Sequence, residues 1–188
     1  MYLSGMSTPS PRTRFVILGL LCSEPASGYA VKQSIDETVG GFWQESYGQL
    51  YPTLKQLTAE GLVTEAAAST GGRKRTIYTI TDAGRAALQT WLTEPPTPEH
   101  TRSEIALKVF FGAWAPPGAV VGHLRSTAAR ARAQAAQLAA VQRTLVASQA
   151  EAPELVWWTL TANLGERVAR ARAEWAEAAL QTIGSEHD

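Results

Sequence analysis

Ser46-Tyr47-Gly48-Gln49-Leu50-Tyr51-Pro52-Thr53-Leu54-Lys55-Gln56-Leu57, closed by Gly61-Leu62-Val63, is the stretch on which the fold turns. Leu50, Leu54 and Leu57 fall at i, i+4 and i+7, the spacing of one buried helical face. Gly61 stands where a left-handed residue ends a helix. With the leucines inward, Gln49, Thr53, Lys55 and Gln56 are left to face outward or sideways. Pro52 conflicts with this helix, because inside one it removes a backbone hydrogen bond and crowds the preceding turn. The pattern therefore predicts a helix that begins late or bends.

Working outward, Leu62-Val63-Thr64-Glu65 and Thr76-Ile77-Tyr78-Thr79-Ile80 read as two strands of a hairpin around a loop holding Gly71-Gly72. The second alternates Thr with large β-formers. Thr81-Asp82 supplies the cap and acidic first turn of a helix running through Trp91. Upstream, Phe15 to Cys22 is a nearly continuous apolar run that fits a buried strand or a buried helix, and periodicity does not choose. Tyr29, Val31, Ile35 and Val39, among Lys32, Gln33, Asp36 and Glu37, predict an amphipathic helix stopped by Gly40-Gly41. Helices, a hairpin and another helix follow the order of a winged helix-turn-helix, in which one helix enters the major groove and the wing reaches the neighbouring backbone.

Thr93-Glu94-Pro95-Pro96-Thr97-Pro98 cannot continue a helix. It divides the chain into an expected DNA-binding domain, residues 1–95, and a helical dimerisation and effector-binding domain, residues 96–188. Thr101-Arg102-Ser103-Glu104 has the spacing of a capping box before Ile105 to Phe111. Val121, Leu124, Ala128, Ala131, Ala135, Leu138, Val141 and Leu145 step by three and four through one long helix, near a coiled-coil seam built mostly of alanine. In the last helix Trp157, Leu160, Leu164, Val168, Ala171, Trp175 and Ala178 make one stripe, with Glu166 and Arg170 paired on the opposite face. The expected fold class is mainly α (α+β): a winged helix-turn-helix followed by a long-helix dimerisation domain.

The 188 residues carry 17 Lys+Arg against 17 Asp+Glu, with a single cysteine. A chain of this length buries about 70% of the surface its unfolded form exposes, so it needs no disulfide or metal to fold. Cys22 alone cannot form an intramolecular disulfide, which predicts a reducing, cytoplasmic location. No apolar run approaches the roughly 18 residues of a membrane helix. The N-terminus lacks the small-residue cleavage site of a signal peptide. Zero net charge counts against a nucleic-acid partner in general, so a DNA surface must be a local patch.

Arg73-Lys74-Arg75 is the densest basic run, with no acid between Glu65 and Asp82. On a wing it suits a phosphate backbone or the minor groove; cations on an edge strand also guard against unwanted pairing. Gly48-x-x-Tyr51-Pro52-x-Leu54, Gly72-Arg73-Lys74-Arg75, Tyr78 and Thr81-x-x-Gly84-Arg85 resemble the PadR family of bacterial transcriptional regulators. Leu18-Gly19-Leu20-Leu21 and Ser27-Gly28-Tyr29 add to the likeness, which covers most of residues 12–92. The second half is similar to the longer PadR-type dimerisation region by architecture alone. The resemblance implies a homodimeric repressor of double-stranded DNA, without cofactor or membrane partner, binding a near-palindromic operator.

On the residues' own terms, Gln49 and Gln56 can pair with adenine, and Thr53 can hydrogen-bond or meet a thymine methyl. Ser46 and Tyr47 at the helix start suit phosphate oxygens, and Lys55 adds a phosphate contact. Tyr51 and Tyr78 fit DNA contact or core; Tyr51 is counted with Arg73, Lys74 and Arg75 in the DNA-binding set. Phe111, Trp114, Trp157 and Trp158 are the candidate effector residues, since aromatic-lined cavities between helices bind flat organic ligands. An aromatic stripe at helical spacing equally makes a core or a dimer seam. His100 and Glu104 lie four apart, but two ligands do not make a zinc site. No nucleophile elbow or phosphate-cradling loop is present, so an enzyme is not expected. The competing readings are a winged-helix protein-interaction module without DNA binding, and a ligand-binding or catalytic helical protein with a winged-helix appendage.

Overall fold

The computed structural model describes residues 12–36, 47–70, 73–98 and 102–185, without the side chains of Tyr47, Ser69, Thr70, Arg73, Lys74 and Ser185. It forms two compact units, residues 1–98 and 99–188. The first contains α1 (Thr13–Ser23), β1 (Ala26–Ser27), α2 (Gly28–Ser34), α3 (Tyr47–Ala59), β2 (Val63–Thr70), β3 (Arg73–Ile80) and α4 (Asp82–Thr93). The ambiguous apolar run is helical: Ile17, Leu18 and Leu21 of α1 are buried at helical spacing. They meet Val31 and Ile35 of the second helical segment, Leu50, Leu54 and Leu57 of α3, and Val63 and Ile80 of the strands. Burying each such side chain contributes about 1.5–3 kcal/mol before chain entropy is counted. Tyr29, placed with Val31 and Ile35 by the sequence pattern, is instead 66% exposed. The expected stop at Gly40-Gly41 lies outside the described residues.

The sheet order is β1-β3-β2, antiparallel throughout. The hairpin register runs from Val63 opposite Ile80 to Thr70 opposite Arg73. At its root, three bonds tie wing and helices together. Gly61 takes φ +72°, and Leu62 N–H donates to Leu57 O at 2.9 Å, closing α3 with its left-handed cap. The Thr81 hydroxyl accepts from Gly84 N–H at 3.1 Å and donates to Gly61 O at 2.8 Å, so the cap of α4 also fastens the end of α3.

The second unit contains α5 (Glu104–Phe110), a short 3-10 turn (Gly112–Trp114), α6 (Ala119–Ser148) and α7 (Leu155–Ser185). Ser103, rather than Thr101, caps α5, its hydroxyl accepting from Ala106 N–H at 3.3 Å. Glu104 is then the first helical residue and cannot close the expected capping box; Thr101 lies outside the described residues. α6 and α7 run antiparallel, fixed by Gln142 donating to Glu166 at 2.7 Å and by Arg132 with Glu177 at 2.6 Å. Their contact buries Leu124, Ala128 and Ala131 of α6 and Ala162, Ala169, Ala173 and Ala176 of α7. Alanine lets the helices approach closely, which leaves the large residues outside. Trp157, Leu160, Leu164, Val168 and Trp175 are therefore exposed rather than core within the protomer. Among the described residues no helix is long and apolar enough to cross a membrane.

Candidate nucleic-acid interface

α3 presents two unlike sides. Its leucines are buried, while Gly48, Tyr51, Pro52, Lys55, Gln56 and Ala59 are exposed and Gln49 is half-buried. Thr53 does not belong with the outward set. It is 3% exposed and its hydroxyl donates to Gln49 O at 2.8 Å. Position 53 follows Leu50 by three and precedes Leu57 by four, so it lies on the leucine side and cannot reach a base. Gln56 is outward, with its Nε2 donating to Glu60 at 2.8 Å. Glu60 is also paired with Arg14, so the acid at this end of α3 is neutralised. Lys55 stands exposed beside it.

The Tyr51 ring lies across Gly28, where an added Cβ would come within 2.7 Å of Tyr51 Cε1. Exposed Tyr29 is the next residue, and β1 holds this end of α2 against β3 through Ser27 opposite Ile77. The sequence pattern missed Tyr29 here because its spacing from Ile35 reads as core; the neighbouring glycine that admits Tyr51 was the available signal. Tyr78 is half-buried against the core. Burial, then Glu65 and Tyr51, pushes its phenol above the ordinary value, so it stays protonated. Tyr78 is a core aromatic with a polar edge.

The run 73–75 lies in β3, opposite Thr70, Ser69 and Ala68. Alternation along a strand sets positions 73 and 75 on one sheet face and 74 on the other. Arg75 is exposed. Ser46 and the Gly71-Gly72 pair lie outside the described residues, as do the side chains of Tyr47, Arg73 and Lys74.

The four aromatic residues proposed for an effector do not meet within one chain. Phe111 and Trp114 precede α6, whereas Trp157 and Trp158 open α7 at the far end of the hairpin. α6 has 30 residues, so about 45 Å of helix separates the two pairs. All four are exposed, Trp114 at 80% and Trp157 at 67%. Phe111 does contact Trp114, ring centroids 6.1 Å apart, and Phe110, 4.9 Å apart. A cavity of about 340 Å³ between α6 and α7 is walled by Ala135, Ala139 and Ala173 and rimmed by Arg132, Arg170 and Glu174. No aromatic residue lines it.

This winged-helix unit is not unique to the chain. A family profile described as the transcriptional regulator PadR-like family matches residues 17–90, from within α1 into α4. The winged-helix unit, over residues 17–90, is of the PadR-like kind. A second profile, virulence activator alpha C-term, matches residues 101–184. The negative transcriptional regulator PadR of Bacillus subtilis (strain 168) is 38% identical over 100 residues, covering 52% of this chain and 55% of that one. The chain spans about half the length of the curated relatives it matches. The crystal structure of Bacillus subtilis PadR with operator DNA superposes with a TM-score of 0.83 at 28% identity, covering 94% of this chain and 99% of that one. The same PadR with p-coumaric acid gives 0.75 at 28% identity, with the same coverage.

Proposed function

We propose that this protein is a PadR-like, cytoplasmic, sequence-specific DNA-binding transcriptional repressor that acts as a homodimer and answers to a small aromatic ligand. The observation that carries the reading is the exposed side of α3, from Gly48 to Gln56, standing over a leucine face that fixes its orientation. Beside it, the wing strand carries Arg73-Lys74-Arg75. Gln49 and Gln56 supply base-reading amides. Ser46, Tyr47, Tyr51, Lys55 and the wing cations serve the phosphates. Thr53 orders the helix instead. The operator-bound structure of Bacillus subtilis PadR supports the DNA reading, and that protein's description as a negative regulator supports repression.

The dimer reading rests on α7. Its exposed stripe is self-complementary about a point between Arg167 and Val168 when a second copy runs antiparallel. Trp157 then faces Ala178 and Leu164 faces Ala171, large against small, while Leu160 packs on Trp175, and each pair recurs across the two-fold axis. The same register brings the partner's Trp157 and Trp158 opposite the end of α7, where Ala179, Leu180 and Ile183 share the buried core of Leu124, Ala128 and Ala176 with Ile105 and Val109 of α5. Phe111 and Trp114 follow α5 directly, so the two aromatic pairs that one chain holds apart meet in the dimer. The p-coumaric acid complex of Bacillus subtilis PadR supports a flat aromatic occupant.

Selection of duplexes from a random pool tests the function. Enrichment of a two-fold-symmetric sequence, with half-sites about one helical turn apart, is the expected result. A pool left unenriched refutes DNA recognition and leaves the protein-interaction module as the better reading.

A further inference from the structure

Pro52 is the sixth of the 13 residues of α3 and lies on its exposed side. A proline has no N–H, so the carbonyl of Gly48, one turn back, receives no donor from Pro52, and the pyrrolidine ring crowds it. Thr53, the next residue, is buried, and its hydroxyl donates to the Gln49 carbonyl at 2.8 Å. The same turn of helix thus has one carbonyl supplied with a hydroxyl from inside the protein and another that loses its usual helical donor between two exposed residues. Gly48 is exposed and has no side chain to screen its oxygen.

A structural proline would be expected at the first helical position, where its missing N–H matters least. Pro52 instead sits where it removes a bond from the outward surface alone. Resting on the reading of α3 as the groove-entering helix, we propose that the Gly48 carbonyl and the Pro52 ring together form a base-reading element. The oxygen accepts a hydrogen bond from an exocyclic amine, adenine N6 or cytosine N4, and the ring packs against a neighbouring thymine methyl. Guanine and thymine offer no major-groove amine, so the carbonyl discriminates against both. Gly48 and Pro52 lie in the N-terminal half of α3, the part of a recognition helix that meets base edges.

The test uses the full chain and the duplex that it selects from a random pool. Each adenine of a half-site is replaced in turn by purine, and each cytosine by 2-pyrimidinone, which removes the amine alone. Binding is compared for the wild type and Pro52→Ala, which returns an N–H to the Gly48 carbonyl. Circular dichroism of Pro52→Ala checks its fold, and a higher melting temperature is expected because a proline leaves a helix interior. At one position per half-site, amine removal weakens the wild type about tenfold and the variant less than twofold; whether the purine or the pyrimidinone arm responds identifies the base. Amine removals that weaken both proteins equally at every position overturn the inference while leaving DNA recognition intact. A wild type that selects no duplex overturns both.

Discussion

Gly84→Ala sets helix preference against packing. Inside a helix alanine is favoured over glycine by about 1 kcal/mol. A Cβ at Gly84, however, would fall 2.1 Å from the Leu62 carbonyl oxygen and 2.9 Å from Ile80 Cγ1. The Leu62 oxygen is not free to retreat, because it accepts from Thr81 N–H at 3.1 Å. α4 cannot retreat either without stretching the Thr81 hydroxyl bonds to Gly84 and Gly61. Overpacking of this kind costs about 1–3 kcal/mol, and a weakened cap adds about 1 kcal/mol. The net is a loss of about 1–3 kcal/mol, or roughly 4–8 °C in Tm per kcal/mol for a unit of this size. Gly19→Ala in α1 is the matched control: nothing lies within 4 Å of its added Cβ, so it should raise stability by up to about 1 kcal/mol. Thermal circular dichroism of the full-length variants, with hydrogen exchange read on α3, β2 and α4, measures both. A Gly84→Ala protein as stable as the wild type would refute the argument that close approach at the wing root fixes this glycine.

Val168→Glu brings a carboxylate from each copy together beside the proposed two-fold axis, and light scattering should show monomers where the wild type shows dimers. Gly28→Ala displaces only the ring of Tyr51; it should change stability by less than about 1 kcal/mol yet weaken duplex binding several-fold in a titration. Glu166 is held below its usual value of 4.5, first by Arg170 and then by Gln142. A lowered folded pKa gives stability that is present above the unfolded value and lost as pH falls through the folded one. Helicity of the second unit should therefore decline in acid below pH 4.5, and Glu166→Gln should flatten that decline.

Sequence patterns anticipate this fold where period and caps agree. The leucines of α3, Gly61 and Thr81 stand where spacing and residue type put them. The hairpin forms, but its first strand runs on from Glu65 to Thr70 and its second starts at Arg73, because Ala66 to Thr70 pair with β3 instead of looping. β1 escaped notice because two residues between Pro25 and Gly28 have no period to detect. Thr53 was misread because polarity suggested an outward side chain, whereas its hydroxyl bonds to the backbone one turn back and needs no water. The α7 stripe was visible as a stripe, but spacing does not say which partner covers it. Within the protomer, alanines won that place by allowing closer helix contact. The aromatic residues failed as one cluster because two residues near in composition can lie at opposite ends of a long hairpin.

Salt dependence of binding to the selected duplex tests the central claim most directly. Lys55, Arg73, Lys74 and Arg75 give four cations per protomer. At about 0.9 per phosphate neutralised, the slope of log affinity against log salt is about −3.6 per protomer and about −7 for the dimer. Replacing Arg73, Lys74 and Arg75 together with alanine should bring the dimer slope to about −2. A flat slope for the wild type, or an unchanged slope for the triple variant, would contradict an account in which α3 and the wing grip DNA together.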